Sequence, residues 1–291
     1  MLIKILVFRD IDLVKKRVGE MSCNVYALES MVYMTAGLRD IYDDQDTDLE
    51  SAIIKSFANE VLSCSAAAPL KTIGTKATMK GDEMERLTRS AIHLNTIGET
   101  GDAVKMYIGL MGLQHAGMSI HEDIKKSRNP LENPGFIFSK FFKPSPIDNP
   151  KQVLNLQYNL HQSLDPAAQW LEFSIIRLQA ATEILLGRHG PKVIDHRIEV
   201  ARLSDMATLC YGMFASVARA SRSYCIGLRN SDYEMLIASA FCLSASDRVK
   251  SIAIDITKGE FICNDNNYKK IGKKVMESKM YFPENPVTRN F

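Results

Sequence analysis

The sequence predicts an all-α protein, two helical units around a proline-rich joint, on three observations. Apolar residues recur at three- and four-residue steps along most of the chain, as helices with one buried face require. Alternating strand patterns are nearly absent. Five of the ten prolines crowd into residues 130–150, where a helix interior would not tolerate them. Composition agrees: 14 Met against 12 Phe, 10 Tyr and 1 Trp suits a helical core better than a β-sandwich.

In chain order, residues 14–37 read as a helix, with Val18, Met21, Val25, Leu28, Val32 and Ala36 on one stripe and Gly37 as its stop. Residues 48–73 form the next. Leu49, Ile53, Phe57 and Val61 mark its buried face, Gly74 follows it, and Pro69 is expected to distort or end it early. A third helix begins near Thr100 and runs through Met106, Leu110 and Leu113. Thr96 and Glu99 stand at capping-box spacing before it. Past the joint, Asp165 reads as an N-cap before Pro166. Ala168, Leu171, Ile175, Leu178, Ala181 and Leu185 then form a stripe that Gly187 closes. A long helix covers about residues 194–228, and Ser231 with Glu234 is a capping box for another that ends near Gly259.

The chain's 291 residues exceed one average domain. Hydrophobic residues at 46% and charged residues at 24% exclude a mostly disordered chain. Lys+Arg 36 against Asp+Glu 34 leaves +2, too balanced for a general nucleic-acid binder. No apolar run reaches the roughly 18 residues that a membrane span needs. The six cysteines include no C-x-x-C pair and read as buried thiols of a reducing compartment. Neither His115 with His121 nor His189 with His196 has the i, i+4 spacing of paired ligands, so no metal site is expected. The start, Met1 to Phe8, is apolar but short, and Asp10 and Asp12 follow it; no transit peptide is visible. The expectation is that the chain begins inside a longer protein or that a leader lies outside this sequence.

Two strings go further. Met106-Tyr-Ile-Gly-Leu-Met-Gly-Leu-Gln-His-Ala-Gly117 resembles the last bundle helix of very-long-chain acyl-CoA dehydrogenases, and Ala27-Leu-Glu-Ser-Met-Val-Tyr-Met-Thr-Ala-Gly37 resembles the helix two before it. Downstream, Leu209-Cys-Tyr-Gly-Met and Ala218-Arg-Ala-Ser-Arg-Ser-Tyr-Cys-Ile-Gly-Leu-Arg-Asn230 are similar to the extra C-terminal helical domain of that branch. The Gly227-Leu-Arg-Asn230 ending is most like the branch's complex I assembly member. The resemblance implies a partial acyl-CoA dehydrogenase C-terminal bundle over residues 1–125, a basic and aromatic joint over 126–151, and the branch's C-terminal helical domain over 152–291.

Such enzymes remove an α-proton from a fatty acyl-CoA while hydride passes from the β-carbon to FAD. They need a carboxylate base and a cradle for the flavin. The resemblance puts the base of a Glu-Gly-Thr-Asn string on Gly98, with Glu99 one residue late as a displaced candidate base and only Thr100 agreeing. One residue is about 100° of helical rotation, far outside catalytic tolerance. The family's glycine-rich flavin loop falls on Lys71-Thr-Ile-Gly-Thr-Lys-Ala-Thr78. Gly74 survives there, Thr75 and Ala77 replace glycines, and Lys71 replaces a glutamine. These degraded FAD positions argue against binding of FAD by this chain and for a catalytically degenerate relative. A working FAD-dependent dehydrogenase, represented by its C-terminal half, is the alternative.

The joint carries Lys125, Lys126, Arg128, Lys140, Lys143 and Lys151 around Phe136, Phe138, Phe141 and Phe142. Basic charge among large apolar side chains suits an interfacial anchor, and the resemblance puts the family's membrane-contact segment there. The expected contact residues are Phe136, Phe138, Lys140, Phe141, Phe142 and Lys143. Packing of those phenylalanines on the bundle is the alternative. The resemblance further implies a homodimer in the mitochondrial matrix, at the inner membrane, with complex I assembly factors as partners. Arg219, Arg222 and Arg229 recur at near-helical steps, placed either for an acidic partner or for acids of neighbouring helices.

Overall fold

A computed structural model describes residues 10–42, 45–120, 122, 125 and 145–284. Eight α-helices order the described residues: α1 (Asp12–Ile41), α2 (Asp48–Ile73), α3 (Glu83–Asn95), α4 (Gly101–Ser119), α5 (Asp165–His189), α6 (Arg197–Cys225), α7 (Ser231–Lys258) and α8 (Asp265–Ser278). Short 3-10 turns cover Gly74–Thr78, Leu156–Asn159, Gln162–Leu164 and Gly190–Asp195. No strand occurs among the described residues, as the periodicity predicts.

One hydrophobic core runs from Tyr26 on α1 to Ile256 on α7. Helix α6 is its axis, packing against α1, α2 and α4 from before the joint and against α5 and α7 from after it. Its Val200, Leu203, Met206, Leu209, Met213 and Val217 are buried along one side, inside the long helix expected over residues 194–228. Two glycines of the resembling strings mark close crossings. A Cβ on Gly109 would lie 2.6 Å from both Cγ1 and the carbonyl oxygen of Val200. One on Gly212 would lie 3.3 Å from the Phe241 ring and 3.5 Å from Met31 Sδ. Phe241 in turn meets Phe57 edge-on, with ring centroids 5.9 Å apart.

Several local expectations are corrected. Helix α2 runs through Pro69 to Ile73. Near the end of a helix a proline removes one backbone bond, and here the last turn has other support. Thr72 donates to Ala68 O (3.0 Å), and Arg17 on α1 donates to Lys71 O (3.1 Å) and to Thr72 Oγ1 (3.2 Å). Asp165 lies in the first turn of α5, with Leu164 as N-cap; there its charge still opposes the helix dipole favourably. Gly187 is inside α5, which ends against Gly190. The Ser231–Glu234 capping box does not form: Asn230, left-handed at φ +66, is the N-cap of α7 and makes no side-chain cap, and Glu234 accepts from Tyr26 Oη (2.9 Å). The buried-thiol reading holds fully for Cys210 and Cys242, whose thiols burial pushes up to about 12, whereas Cys64 and Cys225 are exposed.

Helices α3 and α8 are absent from the sequence reading. Asp82 caps α3 by accepting from Met84 N (2.9 Å), with Glu83 and Glu85 in the first turn, yet no residue of α3 is buried. In α8 only Asp265 is buried. Both helices are short, and their apolar sides face outward instead of marking a core.

Candidate functional site

The region that the sequence reading links to catalysis lies where α2, the Gly74–Thr78 turn, α3 and the start of α4 meet. Chain geometry between α3 and α4 decides what stands there. Thr96 closes α3, donating its hydroxyl to His93 O (2.7 Å). Gly98 takes φ +80, and Thr100 caps α4 by accepting from Ala103 N (3.4 Å). The Thr96–Glu99 capping box therefore does not form: the left-handed turn at Gly98 separates the two helices, and α4 starts at Gly101. Gly98 has no side chain to offer, and Glu99 is exposed in the connecting loop. Glu99 thus precedes α4, which starts at Gly101.

The flavin-loop counterpart is equally specific. Gly74 ends α2 at φ +71, a conformation open to glycine. The next residues wind into a 3-10 turn in which Ala77 is 1% exposed and Thr75 and Lys76 face outward. The Ala77 methyl thus occupies the inner side of the turn, where the resemblance implies bare backbone. Lys71 is exposed, and its carbonyl is taken by Arg17. Two positions where the resemblance implies glycine, Thr75 and Ala77, thus carry side chains, one outward and one inward.

A cleft of about 480 Å³ opens between this turn and α3, lined by Ala77, Thr78, Glu85, Arg89, His93 and Thr96 among others. Arg89 and Glu85 pair across its wall at 3.1 Å. None of Lys71, Gly74, Gly98, Glu99 and Thr100 lines it. The predicted membrane-contact residues Phe136, Phe138, Lys140, Phe141, Phe142 and Lys143 lie outside the described residues.

Three charged networks join different parts of the chain; of their pairings the sequence suggests only that Arg219 meets acids of neighbouring helices. Fully buried Glu172 on α5 accepts from Leu154 N (2.6 Å) and from Val153 N, fastening the chain where it returns from the joint. Burial alone would push its carboxyl up. The N–H groups of Leu154, Val153, Asn155 and Leu156 outweigh that and hold it below the usual carboxylate range. One helical turn on, Arg177 donates to Ile147 O (3.0 Å).

The second network ties the ends of α5 and α7 to the start of α6. Buried Glu199 accepts from Arg188 (3.0 Å) and pairs with His189 Nε2 (2.6 Å), while Arg188 also donates to Ile256 O and Thr257 O. His196 stacks on His189 at 3.6 Å and reaches Glu260 at 3.1 Å. Donor atoms of His189, His196 and Glu199 all lie within 4.8 Å of one another, a proximity that the spacing of the two histidines did not suggest. The rings stack nearly face to face, 24° from parallel, so their nitrogens do not aim at one point as metal ligands would. Arg188 already occupies one carboxylate oxygen.

The third network joins α1 to α6 and α7. Arg219 donates to Glu29 Oε2 (2.6 Å) and lies over the rings of Tyr26 (4.4 Å) and Tyr33 (5.2 Å). Of the two readings of Arg219, the structure supports pairing with acids of neighbouring helices. Buried Tyr26 is pushed well up by desolvation and by its bond to Glu234.

Comparison with known proteins places this architecture. The family description "Acyl-CoA dehydrogenase, C-terminal domain" matches residues 8–108, and "ACAD9/ACADV, C-terminal domain" matches residues 162–281. The "Very long-chain specific acyl-CoA dehydrogenase, mitochondrial" of Bos taurus is 24% identical over 280 residues, covering 94% of this chain and 42% of that protein. The Homo sapiens protein of the same name is 23% identical with the same coverage. Among solved structures, the acyl-CoA dehydrogenase complexed with FAD from Bacillus anthracis superposes with TM-score 0.68 at 15% identity, over 95% of this chain and 47% of that one. The fold is that of the helical C-terminal part of acyl-CoA dehydrogenases. The chain belongs to the acyl-CoA dehydrogenase family, in its very-long-chain branch, and spans under half the length of these relatives.

Proposed function

We propose that this chain is the helical half of an acyl-CoA dehydrogenase relative that has lost the flavin reaction and serves as a scaffold in assembly of respiratory complex I. Gly98 at φ +80 is the observation that carries the loss of catalysis. The residue aligned with the family base has no carboxylate, and its backbone conformation disfavours any side chain. The 3-10 turn closed by Ala77 supports the same reading for FAD.

The scaffold role rests on the C-terminal helices. Helices α5 to α7 keep full buried stripes and internal charge networks where the family has no catalytic need of them, so packing, dimer contacts or a partner must maintain them. The likeness of Gly227-Leu-Arg-Asn230 to the complex I assembly member selects the partner class. The mitochondrial names of the relatives support the same compartment for this chain, and the family likeness supports a homodimer.

The test uses the whole chain, because α6 packs on helices from both sides of the joint. The purified protein should be colourless, and proximity labelling from mitochondria should recover complex I assembly factors. Near-stoichiometric FAD surviving gel filtration would overturn the degenerate reading. Normal complex I after depletion, with only β-oxidation proteins labelled, would overturn the scaffold. The second reading, the C-terminal half of a working long- or very-long-chain dehydrogenase, is favoured by the names of the relatives matched over 94% of the chain.

A further inference from the structure

We infer that α8 and the residues flanking it form a surface for anionic phospholipid, independent of whether the protein binds flavin. Only Asp265 is buried in this 14-residue helix, and no other helix packs along it among the described residues. Its attachment is at one end. Arg202 holds Asp265 through two bonds of 2.5 and 2.8 Å, and Lys269 reaches Glu260 at 2.6 Å.

The rest of α8 has two sharply different sides. At 100° per residue, Tyr268, Ile271 and Val275 fall within about 60° of one another, while Lys269, Lys270, Lys273 and Lys274 occupy about 140° opposite. Most of the apolar side faces outward, with Tyr268 65% and Ile271 52% exposed and Val275 half-buried. Met276 (79%) lies at the border between the sides, and Phe261, Ile262, Met280 and Tyr281 extend the exposed apolar surface past both ends.

Charge selects the occupant. The only acids of the helix are Asp265 and Glu277; Arg202 takes the first, and Lys273 meets the second at 3.8 Å. Lys270 and Lys279 have no acidic partner among the described residues, and Lys274 lies over the Phe282 ring at 4.5 Å. A narrow apolar stripe flanked by lysines, of which Lys270, Lys274 and Lys279 have no acidic partner among the described residues, with aromatic residues at the ends, matches the boundary between anionic headgroups and acyl chains. No helix of the described residues is long and apolar enough to cross a membrane, so the contact is with the surface.

The test is co-sedimentation of the full chain with phosphatidylcholine vesicles containing one third phosphatidylglycerol, with pure phosphatidylcholine as control. Binding should require the anionic lipid and weaken as salt rises. Lys270→Glu with Lys274→Glu should cut the bound fraction at least about tenfold, and Tyr268→Ser with Ile271→Ser about as much. All four side chains are exposed, and beyond the contact of Lys274 with the Phe282 ring they support nothing in the core, so thermal unfolding should be nearly unchanged. Hydrogen exchange should slow across residues 265–278 when anionic vesicles are added. Absence of binding, binding that ignores these substitutions, or exchange in α8 unaffected by vesicles would each overturn the inference. So would capture of α8 by polyglutamate without capture by vesicles, which would assign the helix to an acidic protein.

Discussion

Gly109 on α4 and Val200 on α6 approach so closely that a methyl group on the glycine would stand 2.6 Å from the valine's carbonyl oxygen. That oxygen belongs to a helix backbone and cannot rotate away, so Gly109→Ala must push α4 off α6. Overpacking of this kind costs about 1–3 kcal/mol. Gly37, inside α1 with nothing within 4 Å of its Cβ position, is the control. Gly37→Ala should stabilise by up to about 1 kcal/mol through helix propensity alone. Chemical denaturation followed by circular dichroism reads both. Equal effects would refute the close approach.

Glu172 supplies a pH-dependent prediction. Its carboxyl is held below the usual carboxylate range, so it stabilises the fold above its unfolded pKa of about 4.3, and that stability is lost as pH falls through the folded value. Glu172→Gln should cost about 1–3 kcal/mol at neutral pH, because buried backbone donors then face a weaker acceptor. The gap between wild type and variant should narrow in acid, below about pH 4. Urea unfolding at several pH values measures it. A gap that stays constant would exclude the carboxylate as the anchor of residues 153–154.

The contrast between Gly109 and Glu172 shows what the sequence makes legible. Helices α2 and α5 announce themselves through stripes that bury one side, and the bounds read for α2 hold although the early end expected at Pro69 does not occur. Helix α3 buries nothing and α8 only Asp265; each has an apolar side, but that side faces outward and joins no core stripe of the kind that identifies the longer helices. At the candidate site the substitutions at residues 71, 75, 77 and 98 are legible by resemblance. The left-handed turn that makes Gly98 a backbone device is not, since φ depends on how α3 and α4 are joined. Networks such as Glu172 with residues 153–154 or Arg219 with Glu29 pair residues 18 to 190 positions apart. Local pattern carries no trace of them.

Arg219 should behave as an internal clamp between α1 and α6. It bonds to Glu29 and faces two tyrosine rings, and its hydrogen bond is the leading cause that holds the Glu29 carboxyl below its usual range. Arg219→Ala should cost about 1–2 kcal/mol from the lost ring contacts and ion pair together. Arg219→Lys should recover only part, because ammonium lacks the planar fork that stacks on Tyr26 while bonding Glu29. A double-mutant cycle with Glu29→Gln should give a coupling of about 0.5–1 kcal/mol. Zero coupling together with a lost protein partner would reassign Arg219 to an external surface.

Restoring the carboxylate should not restore chemistry. In Gly98→Glu the new Cβ meets nothing within 4 Å, so no clash opposes the change. The cost is conformational: at φ +80 an L side chain crowds its own carbonyl, worth about 1–2 kcal/mol. Gly98→Asn is the calibrating variant, since asparagine tolerates left-handed backbone better and should lose less. Thermal unfolding should therefore rank wild type above Asn above Glu, with the Glu variant down by several degrees. On the proposed reading, Gly98→Glu mixed with FAD, a long-chain acyl-CoA and an artificial electron acceptor should remain inactive, because Thr75 and Ala77 still carry side chains where the resemblance implies glycine. Turnover by this variant with flavin bound would show that only the base had been missing, and the reading of a degraded cofactor site would fall.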